Sequence, residues 1–116
     1  AVESNKQAVT DGERSTQDLK DLQFVKSDVL EFLKRAKPEY DTVVLDPPRS
    51  GAAGKVVSSL IKLNPRNIIY VACDPVALAR DVKQFAAAGY KVSGLESFDI
   101  FPHTHHFECV LGLTRE

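Results

Sequence analysis

The sequence predicts an α/β fold with a mostly parallel sheet and an antiparallel hairpin at its carboxyl end. Strand-like stretches alternate with amphipathic helical stretches, which indicates parallel strands joined by right-handed crossovers, with helices on both faces of the sheet. The last two strand-like stretches, residues 90–98 and 107–113, are separated only by Asp99 to His106. A connection of this length is too short for a helical crossover and is typical of an antiparallel pair.

The amino-terminal third predicts two short strands and two helices. Residues 1–3 resemble the end of a strand, and residues 4–19 predict a helix with Ser4 as its cap. Residues 22–26 alternate apolar and polar side chains and predict a second strand. Residues 27–36 predict a second helix, capped by Ser27 and carrying an apolar stripe.

The central part repeats one pattern of strand, loop and helix. Residues 41–45 and 68–72 are mostly β-branched or apolar, as strands buried on both faces are. The first strand is followed by Asp46-Pro47-Pro48 and then by a helix with apolar residues at helical spacing, Val56, Val57, Leu60 and Ile61.

The second of these strands ends at Cys73-Asp74-Pro75. Asp74 is expected to cap the next helix and Pro75 to be its first residue, since proline is favoured at that position. One face of this helix is expected to be buried, consisting of Val76, Ala79, Val82, Phe85 and Ala86.

Composition and charge exclude several classes of protein. With 116 residues, 43% hydrophobic and 27% charged, the chain is expected to form one globular domain rather than a disordered or fibrous protein. Fifteen Lys and Arg against sixteen Asp and Glu give a net charge of −1, so no general basic field attracts nucleic acid. Two cysteines are too few for a disulfide scaffold, and the longest apolar run, residues 67–73, is too short to span a bilayer. A cytoplasmic location is expected.

Three chemically distinct side chains are expected to meet at one rim of the sheet. Asp46 and Cys73 each follow a parallel strand, and Glu108 lies at the start of an antiparallel strand, whose beginning lies at the same edge. In α/β sheets, ligands bind outside the carboxyl ends of the parallel strands. The topology therefore brings together a thiol and two carboxylates from distant parts of the chain.

Each of these residues has a functional and a structural interpretation. Cys73 precedes a helix amino terminus, which favours a thiolate nucleophile, but the adjacent Asp74 opposes ionisation and partly offsets this effect. On spacing alone, an inert small residue that ends a buried strand is the favoured interpretation of Cys73. Glu108 can act as a base or can be a charge that protects an edge strand. Asp46 can serve in a site, held by the prolines after it, or can cap a turn.

A metal site is the weaker interpretation of a cluster near the carboxyl end. His103, His105, His106 and Cys109 are ligand types for zinc, with Cys73 as a further candidate. Consecutive histidines point to opposite faces of an extended chain, and no Cys-x-x-Cys pair accompanies them. We therefore expect no metal in this segment.

Three motifs together resemble the RNA uracil-5-methyltransferases, which use S-adenosylmethionine to make 5-methyluridine in tRNA or rRNA. The resemblance extends from about Ala1 to Glu116 and implies a Rossmann-like methyltransferase fold. At two positions this sequence differs from the usual family residues, with Asp74 in place of Asn and Ala77 in place of Thr. The motifs are residues 45–51 (LDPPRSG), residues 70–81 (YVACDPVALARD) and residues 99–108 (DIFPHTHHFE).

The resemblance implies a role for each rim residue. Cys73 matches the nucleophile that attacks carbon 6 of uracil, and Glu108 matches the base that removes the proton from carbon 5. Asp46 matches a carboxylate near both cofactor and target base. Arg49 matches a basic residue that orients that carboxylate or the substrate.

The resemblance also implies binding residues elsewhere in the chain. Glu3 matches the acid that accepts hydrogen bonds from the ribose hydroxyls of the cofactor, and Asp28 matches the contact with the adenine amine. Pro47 and His103 are expected beside the RNA substrate.

The same resemblance implies that residues 1–116 are an incomplete catalytic domain. The chain begins at Ala1 rather than Met, and the first strand with its Gly-rich cofactor loop is expected upstream. In the family an RNA-binding domain, sometimes with an iron–sulfur cluster, usually lies there as well. The isolated chain is therefore expected to bind S-adenosylmethionine weakly and to be inactive.

Two other functions compete with this one. Amino-methyltransferases of nucleic acids also use an Asp-Pro-Pro-like loop, but an aromatic residue normally follows it, whereas here Arg49 follows. Such enzymes need no thiol, so Cys73 and Glu108 would have no role. The other alternative is a non-catalytic module, either a scaffold that retained the fold or a metal-binding domain.

Overall fold

The computed structural model describes residues 1–100, 102–104 and 106–116, which form two compact units, 1–36 and 37–116. The first unit contains strand β1 (Val2–Glu3), helix α1 (Lys6–Ser15), strand β2 (Val25–Lys26) and helix α2 (Val29–Leu33). β1 and β2 are parallel, with Glu3 opposite Lys26. The predicted order of elements in this part of the chain is confirmed, with shorter elements than expected.

The two helix caps in this unit differ from the prediction. Asn5, not Ser4, caps α1. Its side-chain oxygen accepts hydrogen bonds from the backbone N–H groups of Gln7 and Ala8. Asp28, not Ser27, caps α2 and accepts a hydrogen bond from the Glu31 N–H at 3.1 Å. α1 ends at Ser15 because the hydroxyl and backbone N–H of Thr16 both donate to the Gly12 carbonyl.

The second unit contains a four-stranded sheet in the order β3-β4-β6-β5. Its elements are β3 (Thr42–Leu45), α3 (Gly54–Leu63), β4 (Asn67–Ala72), α4 (Pro75–Ala87), β5 (Lys91–Phe98) and β6 (Glu108–Thr114). β3 and β4 are parallel, whereas β6 is antiparallel to both β4 and β5. The predicted hairpin is confirmed. Because β6 inserts between β4 and β5, this sheet is mixed rather than mostly parallel, and β1 and β2 form a separate sheet.

The core of this unit lies on one face of the sheet, where α3 and α4 pack. Ile68, Tyr70 and Ala72 alternate along β4 with more exposed residues, and β6 shows the same alternation. The opposite face exposes Val44 by 64% and Ile69 by 37%. The prediction that β3 and β4 are buried on both faces is therefore wrong, because both helices of this unit cover the same face.

The buried face of α4 is rotated relative to the prediction. Val76 is 78% exposed, and Ala79 and Ala86 are exposed as well. Of the predicted set, only Phe85 is fully buried, and Val82 is half-buried. The buried residues are Ala77, Leu78, Asp81 and Phe85. An apolar periodicity could not place an aspartate in this face, because its burial depends on hydrogen-bond partners from other elements.

Candidate active site

Cys73 and Glu108 adjoin the last matched pair of two neighbouring strands. In the antiparallel pair of β4 and β6, the last matched residues are Ala72 and Cys109. Cys73 directly follows Ala72, and Glu108 directly precedes Cys109. Directly opposed residues in antiparallel strands have Cα atoms about 4.5 to 5.5 Å apart, so the ends of β4 and β6 bring the thiol and the carboxylate to the same edge of the sheet.

Asp46 reaches the same rim from β3. Leu45, the last residue of β3, is matched with Tyr70 in the parallel strand β4. Asp46 is thus level with Val71, two residues before Cys73. The predicted convergence of a thiol and two carboxylates at one edge of the sheet agrees with this register.

Glu108 lies on the face of the sheet that the helices of this unit leave uncovered. Residues 68, 70 and 72 of β4 are buried towards the helices, so the odd positions 69 and 71 face the other way. In β6, Cys109 is buried towards the helices and Glu108 alternates with it, so Glu108 faces away from them. A substrate could approach Glu108 from this face.

The loop after β3 is a compact turn. The Gly51 N–H donates to the Pro48 carbonyl at 2.8 Å, which makes Arg49 and Ser50 the central residues of the turn. Gly51 has φ of +86°, and a Cβ atom there would lie 2.6 Å from Asp81 Oδ2. Only glycine fits at position 51. Earlier in the loop, Asp46, Pro48 and Arg49 are exposed and Pro47 is half-buried.

Cys73 lies immediately before the amino terminus of α4. Asp74 caps this helix by accepting a hydrogen bond from the Ala77 N–H at 2.8 Å, and Pro75 is the first helical residue, as predicted. Asp74 thus supplies the capping oxygen that an asparagine would supply. The half-buried Cys73 is directly before this helix end.

Cys109 is chemically different from Cys73. Its side chain is buried on the helix face of β6. Burial raises the pKa of the Cys109 thiol, and the neighbouring Glu108 carboxylate raises this pKa further. Cys109 is therefore a protonated core residue at neutral pH, which leaves Cys73 as the thiol at the rim.

The connection between β5 and β6 brings His103 to the same end of the sheet. Phe98, the last residue of β5, is paired with Glu108, the first residue of β6, so the connection between the two strands begins and ends at this rim. His103 is exposed and has φ of +64°. His105, one of the predicted metal-ligand candidates, and Phe101 lie outside the described residues. Among the residues that are described, no group of three or more His, Cys, Asp or Glu is arranged to hold a metal ion.

In the first unit, Glu3 and Asp28 lie at the carboxyl ends of two paired parallel strands. Glu3 ends β1, and Asp28 follows Lys26, the last residue of β2, by two positions. Both side chains are exposed, and one Glu3 carboxylate oxygen accepts a hydrogen bond from the Asn5 N–H at 2.7 Å. Carboxylate oxygens at this end of the strands are suitable acceptors for hydroxyl and amine donors of a ligand.

Comparison with known proteins identifies the family. Residues 8–116 match the model of the tRNA (Uracil-5-)-methyltransferase family. The chain belongs to this family. An uncharacterized RNA methyltransferase of Streptomyces avermitilis is 47% identical over 110 residues, which are 94% of this chain and 25% of that protein.

Solved structures agree with this assignment. The Pyrococcus abyssi tRNA (uracil-54, C5)-methyltransferase, in complex with S-adenosyl-L-homocysteine, matches with a TM-score of 0.81 and 32% identity over 97% of this chain and 27% of that chain. The magnesium protoporphyrin IX methyltransferase of Synechocystis PCC 6803, with bound S-adenosylmethionine, matches at 17% identity with a TM-score of 0.69 over 99% of this chain and 58% of that chain, which shows the fold alone.

These matches confirm the predicted Rossmann-like methyltransferase fold and, for the family, S-adenosylmethionine as the cofactor. The chain spans about a quarter of the length of the S. avermitilis and P. abyssi relatives. None of the helices among residues 1–100, 102–104 and 106–116 is both long and apolar enough to cross a membrane.

Sequence reasoning missed one group of residues beneath this rim. Asp81 is fully buried and is bonded to Tyr70, Arg80 and the backbone of Ala52. One signal could have revealed it, because Asp81 lies at helical spacing between Ala77 and Phe85. A charged residue in an otherwise apolar face indicates a buried polar network.

Proposed function

We propose that this chain is the carboxyl-terminal part of the catalytic domain of an RNA (uracil-5-)-methyltransferase, which methylates carbon 5 of a uridine in tRNA or rRNA. The observation that carries this proposal is the antiparallel register of β4 and β6, whose last matched pair, Ala72 and Cys109, directly adjoins Cys73 and Glu108. Membership of the tRNA (uracil-5-)-methyltransferase family supports the reaction class. A paired thiol and carboxylate supplies the nucleophile and the base that methylation at carbon 5 requires.

Cys73 is the nucleophile in this proposal. Carbon 5 of uracil is a weak nucleophile, and attack of the Cys73 thiolate on carbon 6 forms a sulfur–carbon bond and moves the ring electrons into an enolate. The enolate makes carbon 5 reactive. The position of Cys73 before α4 supports this role, because the helix amino terminus stabilises the negative charge on sulfur before attack.

Glu108 is the base that completes the reaction. After carbon 5 has gained its methyl group, the Glu108 carboxylate takes the proton from carbon 5. The released electron pair restores the ring double bond, and the bond between sulfur and carbon 6 breaks to free the Cys73 thiolate. Glu108 is half-buried at the start of β6, and its neighbour Cys109 is paired with Ala72, the residue before Cys73.

The loop after β3 and the connection after β5 hold the target base. Asp46, at the level of Val71, is placed to accept hydrogen bonds from the uracil ring or from the cofactor. Arg49 at the turn and Pro47 beside Asp46 orient the base, and His103 contacts the RNA from the other side of the rim. A uridine buried in a folded RNA must be flipped out of its stack to reach this site.

S-adenosylmethionine fits the residues that the first unit provides. When bound, it supplies the methyl group. Glu3 and Asp28 offer exposed carboxylates at the ends of paired parallel strands, and these would accept hydrogen bonds from the ribose hydroxyls and the adenine amine. Both are acceptors, as a ligand with hydroxyl and amine donors requires.

The RNA partner is proposed to bind through other parts of the full-length protein as well. The net charge of this chain is −1, which provides little attraction for a polyanion. A transfer RNA substrate is supported by the family description and by the P. abyssi relative. We place the reaction in the cytoplasm.

The full-length protein is expected to transfer labelled methyl groups from S-adenosylmethionine to RNA. Digestion of the RNA to nucleosides, followed by mass spectrometry, should identify 5-methyluridine. An N-methylated adenosine, guanosine or cytidine would instead support the amino-methyltransferase alternative. If unmodified transfer RNA and ribosomal RNA both yield no labelled nucleoside, the proposed function is contradicted.

The isolated chain is expected to bind S-adenosylmethionine weakly, because acceptors for the adenosine part are present and a Gly-rich loop for the methionine part is proposed to lie upstream. Titration calorimetry should detect no complex with a dissociation constant in the micromolar range, whereas the full-length protein should give one. A Glu3→Ala variant of the full-length protein should bind about tenfold more weakly, as loss of a hydrogen bond to a charged group predicts. A micromolar complex with the isolated chain would contradict this prediction.

A further inference from the structure

Asp81 is the centre of a buried polar network that joins three elements. Its exposed fraction is 0%. Oδ2 accepts a hydrogen bond from the Tyr70 hydroxyl of β4 at 2.7 Å and from the Ala52 N–H at 2.8 Å. Oδ1 accepts hydrogen bonds from Nε and Nη2 of Arg80, at 3.1 and 3.0 Å. Four donors thus satisfy one carboxylate, as a buried charge requires.

The network fastens the loop after β3 to helix α4. Arg80 Nη2 also donates to the Ser50 carbonyl at 2.7 Å, so Arg80 and Asp81 bind two backbone groups of the same loop. Gly51 lies between these two groups, where a side chain would strike Asp81. The loop carries Asp46 at its start, and α4 begins two residues after Cys73.

The Tyr70 hydroxyl is both a donor and an acceptor in this network. Its hydroxyl donates to Asp81 Oδ2 and accepts a hydrogen bond from the Ala52 N–H at 3.2 Å. Burial raises the pKa of the Tyr70 hydroxyl, and the hydrogen bond to Asp81 raises this pKa further. Tyr70 is therefore a permanent donor at neutral pH, and the network has one hydrogen-bonding pattern.

We propose that Arg80 and Asp81 are positioning residues, which set the loop of residues 46–53 against α4 and so fix Asp46 relative to Cys73. This inference rests on the proposed function of those two residues. The Arg80 side chain of this ion pair is 55% exposed, and an ion pair with an exposed cation adds little to folding stability. Its directional bonds to the Ser50 carbonyl and the Ala52 N–H instead define where the loop lies, and an error of about 1 Å in an active site can reduce a rate about 100-fold.

The test compares variants of the full-length enzyme in steady-state methylation of RNA. Arg80→Ala should lower kcat by about 10- to 100-fold, while KM for RNA stays within about twofold, because the loop is displaced without loss of the RNA-binding surface. Lys83→Ala is the matched control, since Lys83 is an exposed cation of the same helix. Its kcat should stay within about twofold of wild type.

Two further measurements make the result independent of folding defects. Tyr70→Phe keeps the ring and removes one donor to Asp81, so it should fold and lower kcat by a smaller factor of about three to ten. Hydrogen exchange followed by mass spectrometry should show faster exchange in residues 46–53 of Arg80→Ala, with the core strand β4 unchanged.

The outcomes separate this inference from the proposed function. A kcat for Arg80→Ala within twofold of wild type, an equal loss in Lys83→Ala, or unchanged exchange in residues 46–53 would overturn the positioning role. A wild-type enzyme that forms no 5-methyluridine would contradict the proposed function instead. In that case the exchange experiment alone still decides whether Arg80 and Asp81 hold the loop.

Discussion

Replacing Cys73 with alanine in the full-length protein is expected to reduce formation of 5-methyluridine by more than about 10³-fold. The substitution removes the sulfur that forms the covalent bond to carbon 6 in the proposed mechanism, and without that bond carbon 5 remains unreactive. The measurement is the rate of methyl transfer to RNA under single-turnover conditions. Thermal unfolding should change little, because Cys73 is half-buried and lies outside the strand ladder.

An RNA containing 5-fluorouridine tests the covalent step directly. Fluorine cannot leave carbon 5 as a proton does, so wild-type enzyme should remain bonded to the RNA and migrate as a complex in a denaturing gel. Cys73→Ala should form no complex, whereas the matched variant Cys109→Ala should form it. An adduct that survives in Cys73→Ala would show that another residue is the nucleophile.

Cys109→Ala is a strong control because the two cysteines differ in burial and in position, Cys73 being half-buried at the rim and Cys109 buried in the core. Cys109 is buried on the helix face of β6, and both burial and Glu108 raise the pKa of its thiol. Loss of its sulfur should cost about 1 kcal/mol in stability and leave the chemistry intact. The comparison therefore separates loss of a thiol from loss of the reactive thiol.

The order of elements could be predicted from sequence because it depends on local signals. The apolar residues of β4 and the Asp74-Pro75 start of α4 define their elements without help from distant residues. Which face of the sheet the helices cover could not be predicted in this way. Val44 and Ile69 are apolar and β-branched, as in strands buried on both faces, yet they are exposed because both helices of the second unit pack on the other face.

The candidate site could be predicted in part for a similar reason. Strand ends are readable in a sequence, and topology then places Asp46, Cys73 and Glu108 at one rim. The bonds of the Arg80–Asp81 network could not be predicted, because its partners Tyr70 and Ala52 come from a strand and a loop that only the folded chain brings together. Tyr70, Arg80 and Asp81 all lie within the motif of residues 70–81, but the motif does not show which groups they bond.

Replacing Glu108 with glutamine is expected to stall the reaction after methyl transfer. Glutamine has nearly the same shape but cannot take the proton from carbon 5, so elimination of the Cys73 thiolate should slow by about 10²- to 10⁴-fold. A methylated covalent complex of enzyme and RNA should therefore accumulate. Denaturing gels with RNA, and transfer of labelled methyl groups into the gel-shifted band, measure it.

Glu96→Gln is the matched control for this substitution. Glu96 is paired with Val110 of β6, which places it on the same open face as Glu108, and it is exposed. Glu108 does not protect a sheet edge, because β6 lies between β4 and β5. If Glu108 had only a structural role, both substitutions would leave turnover unchanged. Accumulation of the complex in Glu108→Gln alone would show that a proton acceptor is required at position 108. Loss of the complex in the double variant Cys73→Ala/Glu108→Gln would show that the thiol and the carboxylate act on the same uracil ring. Unchanged turnover in Glu108→Gln would mean that another group removes the proton, and the register between Cys73 and Glu108 would then have only a structural meaning.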